Sequence, residues 1–227
     1  MPTTALKSPR APDRFITAGP LPPFKDHLRA KVRSGLKTMT RRLIKPQPRD
    51  VQDGWYMDAY NQTNAFNFWT ARPGSKMVNS IGPNDRTCQW TCPYGFTGDI
   101  KYLREPLIKR CHPKGFYVAH YADDDEPVID EATEQPVHWR WKDAGLAQLF
   151  LPKEYARTFV KLTGVRAERL HAITNNDALA EGTPDLRTME NNWDLRQCFA
   201  KLWDDINEDR CPWSADPFVW VLTWEPA

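Results

Sequence analysis

The segment Phe218–Trp224, near the end of the chain, is the feature that most limits how this protein can fold. In an extended strand its alternate side chains are apolar on both sides, with Phe218, Trp220, Leu222 and Trp224 on one side and Val219 and Val221 on the other. A strand that is apolar on both sides suits a central position in a sheet better than an edge. The chain is therefore expected to fold around a sheet in which this segment is an inner strand.

The remaining pattern predicts an α+β fold. Short predicted strands are separated by short helices, and there is no regular strand–helix–strand alternation. We expect a small curved or closed sheet, a β-barrel, with peripheral helices packed at its rim. With 227 residues, of which 41% are hydrophobic, the chain is long enough to bury a core as one domain with a large insertion.

Charge and hydropathy exclude some classes of function. The net charge of +2 does not indicate a dedicated nucleic-acid binder, so any basic surface must be local. No apolar run approaches the length needed to span a membrane, and we expect no membrane partner. The Pro-rich N-terminus lacks the apolar core of a signal peptide, which favours a cytoplasmic location.

A helix is predicted after an N-terminal arm that covers residues 1–23. Apolar residues recur at every fourth position, namely Phe24, Leu28, Val32 and Leu36. Gly35 is placed to end the helix in the left-handed conformation. Residues 24–227 are then expected to form a single domain.

The segment Lys37–Arg42 leaves this helix as a loop that contains one lysine, two threonines and two arginines. Such a set of short donors and fixed cations suits a loop that grips a nucleobase, a phosphate or a developing oxyanion. We expect Thr38, Arg41 and Arg42 to bind substrate, with the planar fork of Arg42 holding a phosphate or a base edge. A solvated basic loop is the alternative.

Residues 45–97 have the composition of an insertion, with many Pro, Gly, Asn and aromatic residues. Trp55–Tyr60 and Ala65–Trp69 are predicted strands of a hairpin within it. After the insertion, Ile100–Glu105 is predicted to be a strand that pairs with Phe116–Tyr121.

A long strand is predicted at Phe159–Leu170, with a kink at Gly164. The acidic run Asp123–Glu126 is expected to be a solvated loop, because contiguous carboxylates suit a loop better than the metal site of a nuclease. Asn192 is placed to cap a last helix. The apolar stripe of that helix consists of Leu195, Phe199, Leu202 and Ile206.

Glu181 occupies an unfavourable position in a predicted helix. Thr174 and Asp177 form a capping-box pattern, which predicts a short helix at Asn175–Glu181 that Gly182 ends. A carboxylate in the last turn faces the negative end of the helix dipole, which is unfavourable by about 0.3–1 kcal/mol. Such departures are expected at functional sites, and a proton shuttle is one use of the group. The alternative is a surface glutamate on a frayed helix.

Five cysteines and the absence of a secretory signal argue against a disulfide framework. Cys88 and Cys92, followed downstream by Cys111 and His112, could hold one structural zinc ion. Their spacing is loose for a zinc ribbon, and ordinary reduced thiols are the alternative. No cofactor is required by the chemistry considered below.

Five motifs, taken together, resemble the ASCH domain, a relative of the PUA fold. Gly35-x-Lys37-Thr-x-Thr40-x-Arg42 resembles its opening motif, and Gly98-Asp-x-x-Tyr-Leu-Arg-Glu105 resembles the strand that phage and prophage ASCH-like proteins write as GDxLWVRE. The other similar segments are Pro152–Arg157, Ile173–Gly182, and Trp203–Asn207 with Pro217–Val221. They follow the order of the family and span roughly residues 24 to 224.

The resemblance implies a small PUA-like β-barrel whose cleft takes a nucleobase or a nucleotide. One branch of the superfamily contains the bacterial N(4)-acetylcytidine amidohydrolases, and the catalytic Lys, Thr and Glu of that branch fall on Lys37, Thr40 and Glu181. This chain departs from the compact amidohydrolases by its insertions at about 45–97 and 122–152, which can reshape the pocket.

Three further residues are candidates for binding substrate: Arg104, Glu105 and Arg157. Arg104 and Glu105 are neighbours in a predicted strand, so they would point to opposite faces, one toward the cleft and the other toward an ion pair. Solvated strand charges are the alternative.

The sequence therefore predicts a hydrolase that acts on a modified nucleoside or nucleotide, an N-acyl or N-alkyl pyrimidine amide. Glu181 would move the proton, Lys37 would stabilise the oxyanion or tune Glu181, and Thr40 would position or supply the attacking oxygen. The alternatives are a non-catalytic RNA- or DNA-binding module of phage origin and a ribonuclease. The near-neutral charge favours a small substrate over a long nucleic acid.

Overall fold

A computed structural model of the chain describes residues 19–47, 65–67, 89–186, 193–207 and 209–227. Helices and strands are both present in these ranges, so the predicted α+β class is confirmed. The chain forms two compact units. The first comprises the residues up to Ser34 with Asp99–Lys161 and Pro226–Ala227, and the second comprises Gly35–Gly98 and Leu162–Glu225. The expectation of a single domain after an arm at residues 1–23 stays a prediction.

The helices in the described ranges are α1 (Asp26–Arg33), α2 (Asn175–Ala180) and α3 (Leu195–Asn207). The strands are β1 (Gly19–Pro20), β2 (Met39–Leu43), β3 (Ala65–Asn67), β4 (Gln89–Thr91), β5 (Ile100–Tyr102), β6 (Leu107–Cys111), β7 (Tyr117–Tyr121), β8 (Ile129–Asp130), β9 (Gln135–Pro136), β10 (Gly145–Leu146), β11 (Phe159–Arg169) and β12 (Phe218–Pro226). Short 3₁₀ turns lie at Gln148–Phe150, Lys153–Tyr155, Leu170–Ala172 and Trp213–Ala215. Among the described helices, none combines the length and the apolar character needed to cross a bilayer.

The first unit contains strands of two larger sheets and a short hairpin. β1 pairs in parallel with β5, and β5 pairs antiparallel with the first residues of β11, where Phe159 lies opposite Tyr102. A separate sheet has the order β10-β6-β7, and β8 pairs with β9. Buried apolar side chains that include Leu107, Ala119 and Val128 form the core of this unit.

β12 is the inner strand of the second unit, as the sequence predicts. It lies between β11 and β2 in a five-stranded sheet with the order β1-β5-β11-β12-β2. Every residue from Phe218 to Leu222 is buried, so both faces of the strand are covered. α2 and α3 share one apolar cluster with Met39, Val219 and Val221. In the part of the chain that the structure describes, β1 and β2 stand at the ends of this strand order, and no closed barrel is seen.

Local sequence signals predict the helices well, except that Leu36, the last residue of the stripe predicted for the first helix, lies beyond α1 and is exposed. Gly35, which follows α1, has φ of +73°, the left-handed value expected of a helix stop. Thr174 and Asp177 form the complete capping box at the start of α2. The predicted apolar stripe of α3 is inside, with Leu195, Phe199 and Leu202 buried and Ile206 packed against the same cluster. Asn192, the predicted cap of α3, lies outside the described residues.

Strand pairing over long sequence distances is predicted less well. β5 does not pair with Phe116–Tyr121, because β7 is paired with β6 through a tight hairpin and β5 lies between β1 and β11. Of the two strands of the predicted hairpin, β3 lies at the start of Ala65–Trp69, and it pairs with β4, which was not part of that hairpin. The other predicted strand, Trp55–Tyr60, lies outside the described residues.

The segment after α1 is also different from the prediction of a loop. Residues Met39–Leu43 form β2, which pairs antiparallel with β12 over five positions, from Met39 opposite Thr223 to Leu43 opposite Val219. The cause is tertiary, because an inner strand such as β12 needs partners on both of its edges.

Gly164 allows β11 and β12 to approach closely. A Cβ atom at Gly164 would stand 2.7 Å from Thr223 Oγ1, well inside van der Waals contact. The hydroxyl of Thr223 donates to the Gly164 carbonyl oxygen at 3.3 Å and lies 3.1 Å from Thr163 Oγ1. The close approach of the two strands therefore explains why position 164 is a glycine. The predicted kink at this position stays a prediction.

We predict that Gly164→Ala lowers the free energy of unfolding by about 1–3 kcal/mol, because the new methyl group overlaps the Thr223 hydroxyl. Thr223→Ala removes that hydroxyl and should recover most of the loss when the two changes are combined. Urea denaturation of the wild type, both single variants and the double variant gives the coupling energy. A penalty for Gly164→Ala that is the same in the Thr223→Ala background would contradict this explanation.

Candidate functional site

The candidate site lies in the second unit, where the segment before β2 meets the end of α2. The backbone N–H of Thr38 donates to the Ala180 carbonyl oxygen at 2.8 Å, and the Thr38 carbonyl oxygen accepts from the Trp224 N–H at 3.0 Å. These bonds hold the segment against both α2 and β12. Lys37 precedes Thr38 and Glu181 follows Ala180, so the backbone places the two side chains next to each other.

Lys37 and Glu181 form a buried ion pair. Lys37 Nζ donates to Glu181 Oε2 at 2.8 Å and to the Glu181 carbonyl oxygen at 2.6 Å. Only 2% of Lys37 and 4% of Glu181 are exposed. Burial lowers the pKa of Lys37, and the attraction of Glu181 opposes this effect without cancelling it. An amine with a lowered pKa, in contact with a carboxylate, can exchange a proton with it at moderate pH.

The end of α2 explains why a glutamate is tolerated there. Glu181 is the C-cap residue of the helix, and Gly182 follows it with φ of +71°. The second bond from Lys37 satisfies a carbonyl oxygen at the helix end, a group that has no partner within the helix. The lysine also supplies the positive charge that a helix C-terminus favours, so it offsets the unfavourable position of the carboxylate.

Arg41 contacts three carboxylates of the second unit. Its Nη1 donates to Glu181 Oε1 at 3.3 Å, and its Nη2 donates to Glu168 Oε1 at 2.6 Å and to Asp177 Oδ2 at 3.0 Å. Burial alone would raise the pKa of Asp177, but the bonds from the Thr174 backbone and from Arg41 outweigh it, and the pKa is lowered. Glu181 therefore has one oxygen on Lys37 and the other on Arg41.

The alternation of β2 separates the remaining side chains of the motif. Thr40 and Arg42 point to one face of the strand, and Met39 and Arg41 point to the other. Thr40 is buried, at 3% exposure. Burial lowers the pKa of Arg42, while the neighbouring Tyr94 and Glu181 act in the opposite direction.

Two residues near this site were missed by sequence reasoning. Tyr94 interacts electrostatically with Arg42, and burial raises the pKa of its hydroxyl. Thr183 has a buried hydroxyl oxygen without a hydrogen-bond partner among the described residues. No motif around Tyr94 points to the site, whereas Thr183 lies only two positions after Glu181 and could have been considered with it.

Three other predicted substrate-binding residues lie in the first unit. Glu105 is fully buried, and its two carboxylate oxygens accept bonds of 2.6–3.0 Å from Arg33 and Arg157. Arg157 also lies over the ring of Tyr121, with its guanidinium carbon 3.7 Å from the ring centroid. Arg104 donates to the Leu149 carbonyl oxygen at 3.2 Å. Glu105 and Arg157 are engaged with each other here, and their contact with a substrate stays a prediction.

The acidic run Asp123–Glu126 was predicted to be a solvated loop, and for its first two residues this prediction is wrong. Asp123 Oδ1 and Oδ2 accept bonds of 2.6 and 2.8 Å from Arg29, which is 94 positions away in the sequence. Asp124 pairs with Arg157 at 2.7 Å. The first two residues of the run are therefore ion-paired, because α1 presents arginines to them.

The proposed zinc ligands are described only in part. Cys88 lies outside the described residues, Cys92 is buried in the second unit, and Cys111 is exposed in the first unit beside His112. Among the described residues, no three or more His, Cys, Asp or Glu side chains are grouped so as to hold a metal ion. A structural zinc ion that uses Cys88 stays a prediction.

We predict that Asp123→Asn lowers the free energy of unfolding at pH 7 by about 1–3 kcal/mol, because it removes charge-assisted bonds from Arg29 and Arg33. Burial alone would raise the pKa of Asp123, but its bonds from Arg29 and Arg33 lower it. The stabilisation is therefore present above the unfolded-state pKa of about 3.9 and is lost as the pH falls through the lower folded-state value.

Urea denaturation of the wild type and of Asp123→Asn between pH 7 and pH 3 measures this difference. The gap between the two proteins should be largest at neutral pH and should narrow in acid. Asp205→Asn, which breaks an exposed pair with Lys201, is the matched control and should cost less than about 1 kcal/mol at every pH. A gap for Asp123→Asn that is constant with pH would contradict the assignment.

Comparison of the chain with protein-family models, with curated proteins and with solved structures gives no match in any of the three.

Proposed function

We propose that this protein is a hydrolase that acts on a modified nucleoside or nucleotide, an N-acyl or N-alkyl pyrimidine amide, and cleaves the amide bond between its acyl carbonyl carbon and the exocyclic nitrogen. The observation that carries the proposal is the buried contact of 2.8 Å between Lys37 Nζ and Glu181 Oε2. Burial lowers the pKa of Lys37, and buried ionisable groups with a shifted pKa are common in catalytic sites, which supports a catalytic use of the pair.

In the proposed reaction, the oxygen of a water molecule attacks the carbonyl carbon of the exocyclic amide. Glu181 accepts the proton that the water loses and delivers it to the leaving nitrogen when the C–N bond breaks. The products are the acid and the free amine of the base, so atoms and charge balance. Thr40 orients the water, and Lys37 donates to the oxyanion of the tetrahedral intermediate.

Substrate binding is assigned to the side of β2 that carries Thr40 and Arg42. Arg42 can hold a phosphate or a base edge through its planar fork, and Glu181 lies close enough to interact with it electrostatically. The net charge of +2 supports a small ligand over a long polyanion.

The fold proposed with this function is that of the ASCH domain, with the five-stranded sheet as part of a PUA-like barrel. The order of the motifs along the chain and the position of β2 beside β12 support it. We place the protein in the cytoplasm, in agreement with the absence of disulfides among the described cysteines. The basis of this assignment is the five motifs in order, together with one buried ion pair between the first and the fourth of them.

We predict that the purified protein releases free cytidine from at least one N(4)-acylated cytidine in a panel that also contains N(4)-alkylated cytidines, which have no acyl carbonyl group for water to attack and should not react. Lys37→Met, Thr40→Val and Glu181→Gln should each lower kcat/KM by about 10²–10⁴-fold, because each removes one proton-transfer or positioning group. Glu181→Gln is the sharpest of the three, since the amide keeps the shape of the side chain and can still accept a bond from Lys37. Product release followed by chromatography gives the rates, and circular dichroism shows that each variant is folded.

Lys201→Met is the matched control, because it removes the same ammonium group from an exposed pair with Asp205. Its kcat/KM should equal that of the wild type. Near wild-type turnover by Glu181→Gln would remove the proton-transfer role. Salt-sensitive retention of labelled RNA, without cleavage and without turnover of any cytidine, would favour a nucleic-acid-binding module instead.

A further inference from the structure

Arg41 approaches Glu181 from the face of β2 that the helices cover. It shares that face with Met39, which belongs to the apolar cluster of α2 and α3, and its side chain is fully buried. Its guanidinium carbon lies 6.0 Å from the ring centroid of Phe199 on α3. Thr40 and Arg42 point to the opposite face. A substrate that contacts Thr40 and Arg42 would therefore meet Arg41 only through other side chains.

The guanidinium of Arg41 fixes Glu181 in two ways. It binds Oε1 directly, which leaves Oε2 for Lys37. It also binds Asp177, which caps the N-terminus of α2, and Glu181 is the C-cap of that same helix. Arg41 thus connects both ends of α2 to β2, so the position of the carboxyl group is defined relative to the strand that carries Thr40.

The contact between Arg41 and Glu181 affects the electrostatic environment of the carboxyl group as well as its position. Lys37, Arg41 and Arg42 face it as cations, while Asp177 on the same helix and Glu168 on β11 are anions held by Arg41. Arg166 contacts Glu168 at 2.8 Å and Asp177 at 4.0 Å. Removing Arg41 therefore takes a cation away from the carboxyl group of Glu181. It also leaves the negative charges of Glu168 and Asp177 less neutralised. Both changes favour protonation of Glu181.

We propose that Arg41 is a positioning residue for Glu181, and not a substrate ligand: it holds Oε1 so that the carboxyl group of Glu181 stays aligned with Lys37. The proposal rests on the proposed function, in which Glu181 moves the proton. It predicts that Arg41 acts on kcat and on the pH dependence of the reaction and has little effect on KM.

Arg41→Met is expected to lower kcat at least tenfold, to change KM by less than threefold, and to move the acid limb of the pH–rate profile to higher pH. Arg41→Lys keeps the charge but has no planar fork for several carboxylates, so it should recover part of kcat and most of the acid limb. It also serves as the test if Arg41→Met does not fold. Arg166→Met is the control, since it removes a cation from Glu168 and Asp177 but has no contact with Glu181 among the described bonds, and its pH–rate profile should shift much less than that of Arg41→Met.

A second readout does not depend on turnover. The ¹³C resonance of the Glu181 carboxyl group, assigned with Glu181→Gln, is followed against pH in the wild type, Arg41→Met, Arg41→Lys and Arg166→Met. The inference requires protonation at higher pH in Arg41→Met, with a much smaller shift in Arg166→Met. If this shift occurs but no protein in the series turns over any substrate, the proposed function fails while the contact between Arg41 and Glu181 is supported.

If the wild type turns over substrate and Arg41→Met changes KM alone, with the carboxyl titration unchanged, Arg41 is a substrate ligand and the inference is overturned. An equal loss of kcat in Arg166→Met and Arg41→Met, without a change in either pH profile, would also overturn it, because the effect would then be a general loss of structure.

Discussion

The burial of a lysine and a glutamate together at the end of α2 is the constraint on which the rest of the second unit depends. Removing either charge from water costs several kcal/mol, and the attraction between them repays this only when every donor and acceptor is satisfied. The structure supplies two bonds from Lys37 and one from Arg41 to Glu181. The capping box, the left-handed Gly182 and the pairing of β2 with β12 are the local features that make this geometry accessible.

The two units use the same residue types for different purposes. In the first unit, Glu105 and Asp123 are surrounded by arginines, whose guanidinium groups remain charged at any ordinary pH, so these pairs can stabilise the fold but cannot transfer a proton. In the second unit Glu181 is bonded to Arg41 and also to a lysine, Lys37, with a pKa that burial lowers. A lysine can lose its proton where an arginine cannot, and this difference is what makes the second unit the better candidate for chemistry.

Sequence patterns were sufficient where a structural feature depends on neighbouring residues. The alternation in Phe218–Trp224 predicted an inner strand, and Thr174 with Asp177 predicted the start of α2. Local patterns did not predict the pairing of strands that are distant in the sequence. The predicted partner of β5 was wrong. The segment of β2 was predicted to be a loop, because its Thr and Arg side chains show no apolar alternation. The contacts of Asp123 with Arg29 and of Arg41 with Glu168, over 94 and 127 positions, have no local signal at all.

The most direct test of the account is the pH titration of the Lys37 side chain. The ¹³Cε resonance of Lys37, assigned by comparison with Lys37→Met, can be followed against pH in the intact protein, with the exposed Lys201 as an internal reference. Burial beside Glu181 predicts that Lys37 loses its proton at a pH clearly below the value of about 10.4 that is usual for exposed lysines. Titration of Lys37 together with Lys201, or above it, would contradict the account, because the pair would then be a permanent salt bridge without a proton to exchange.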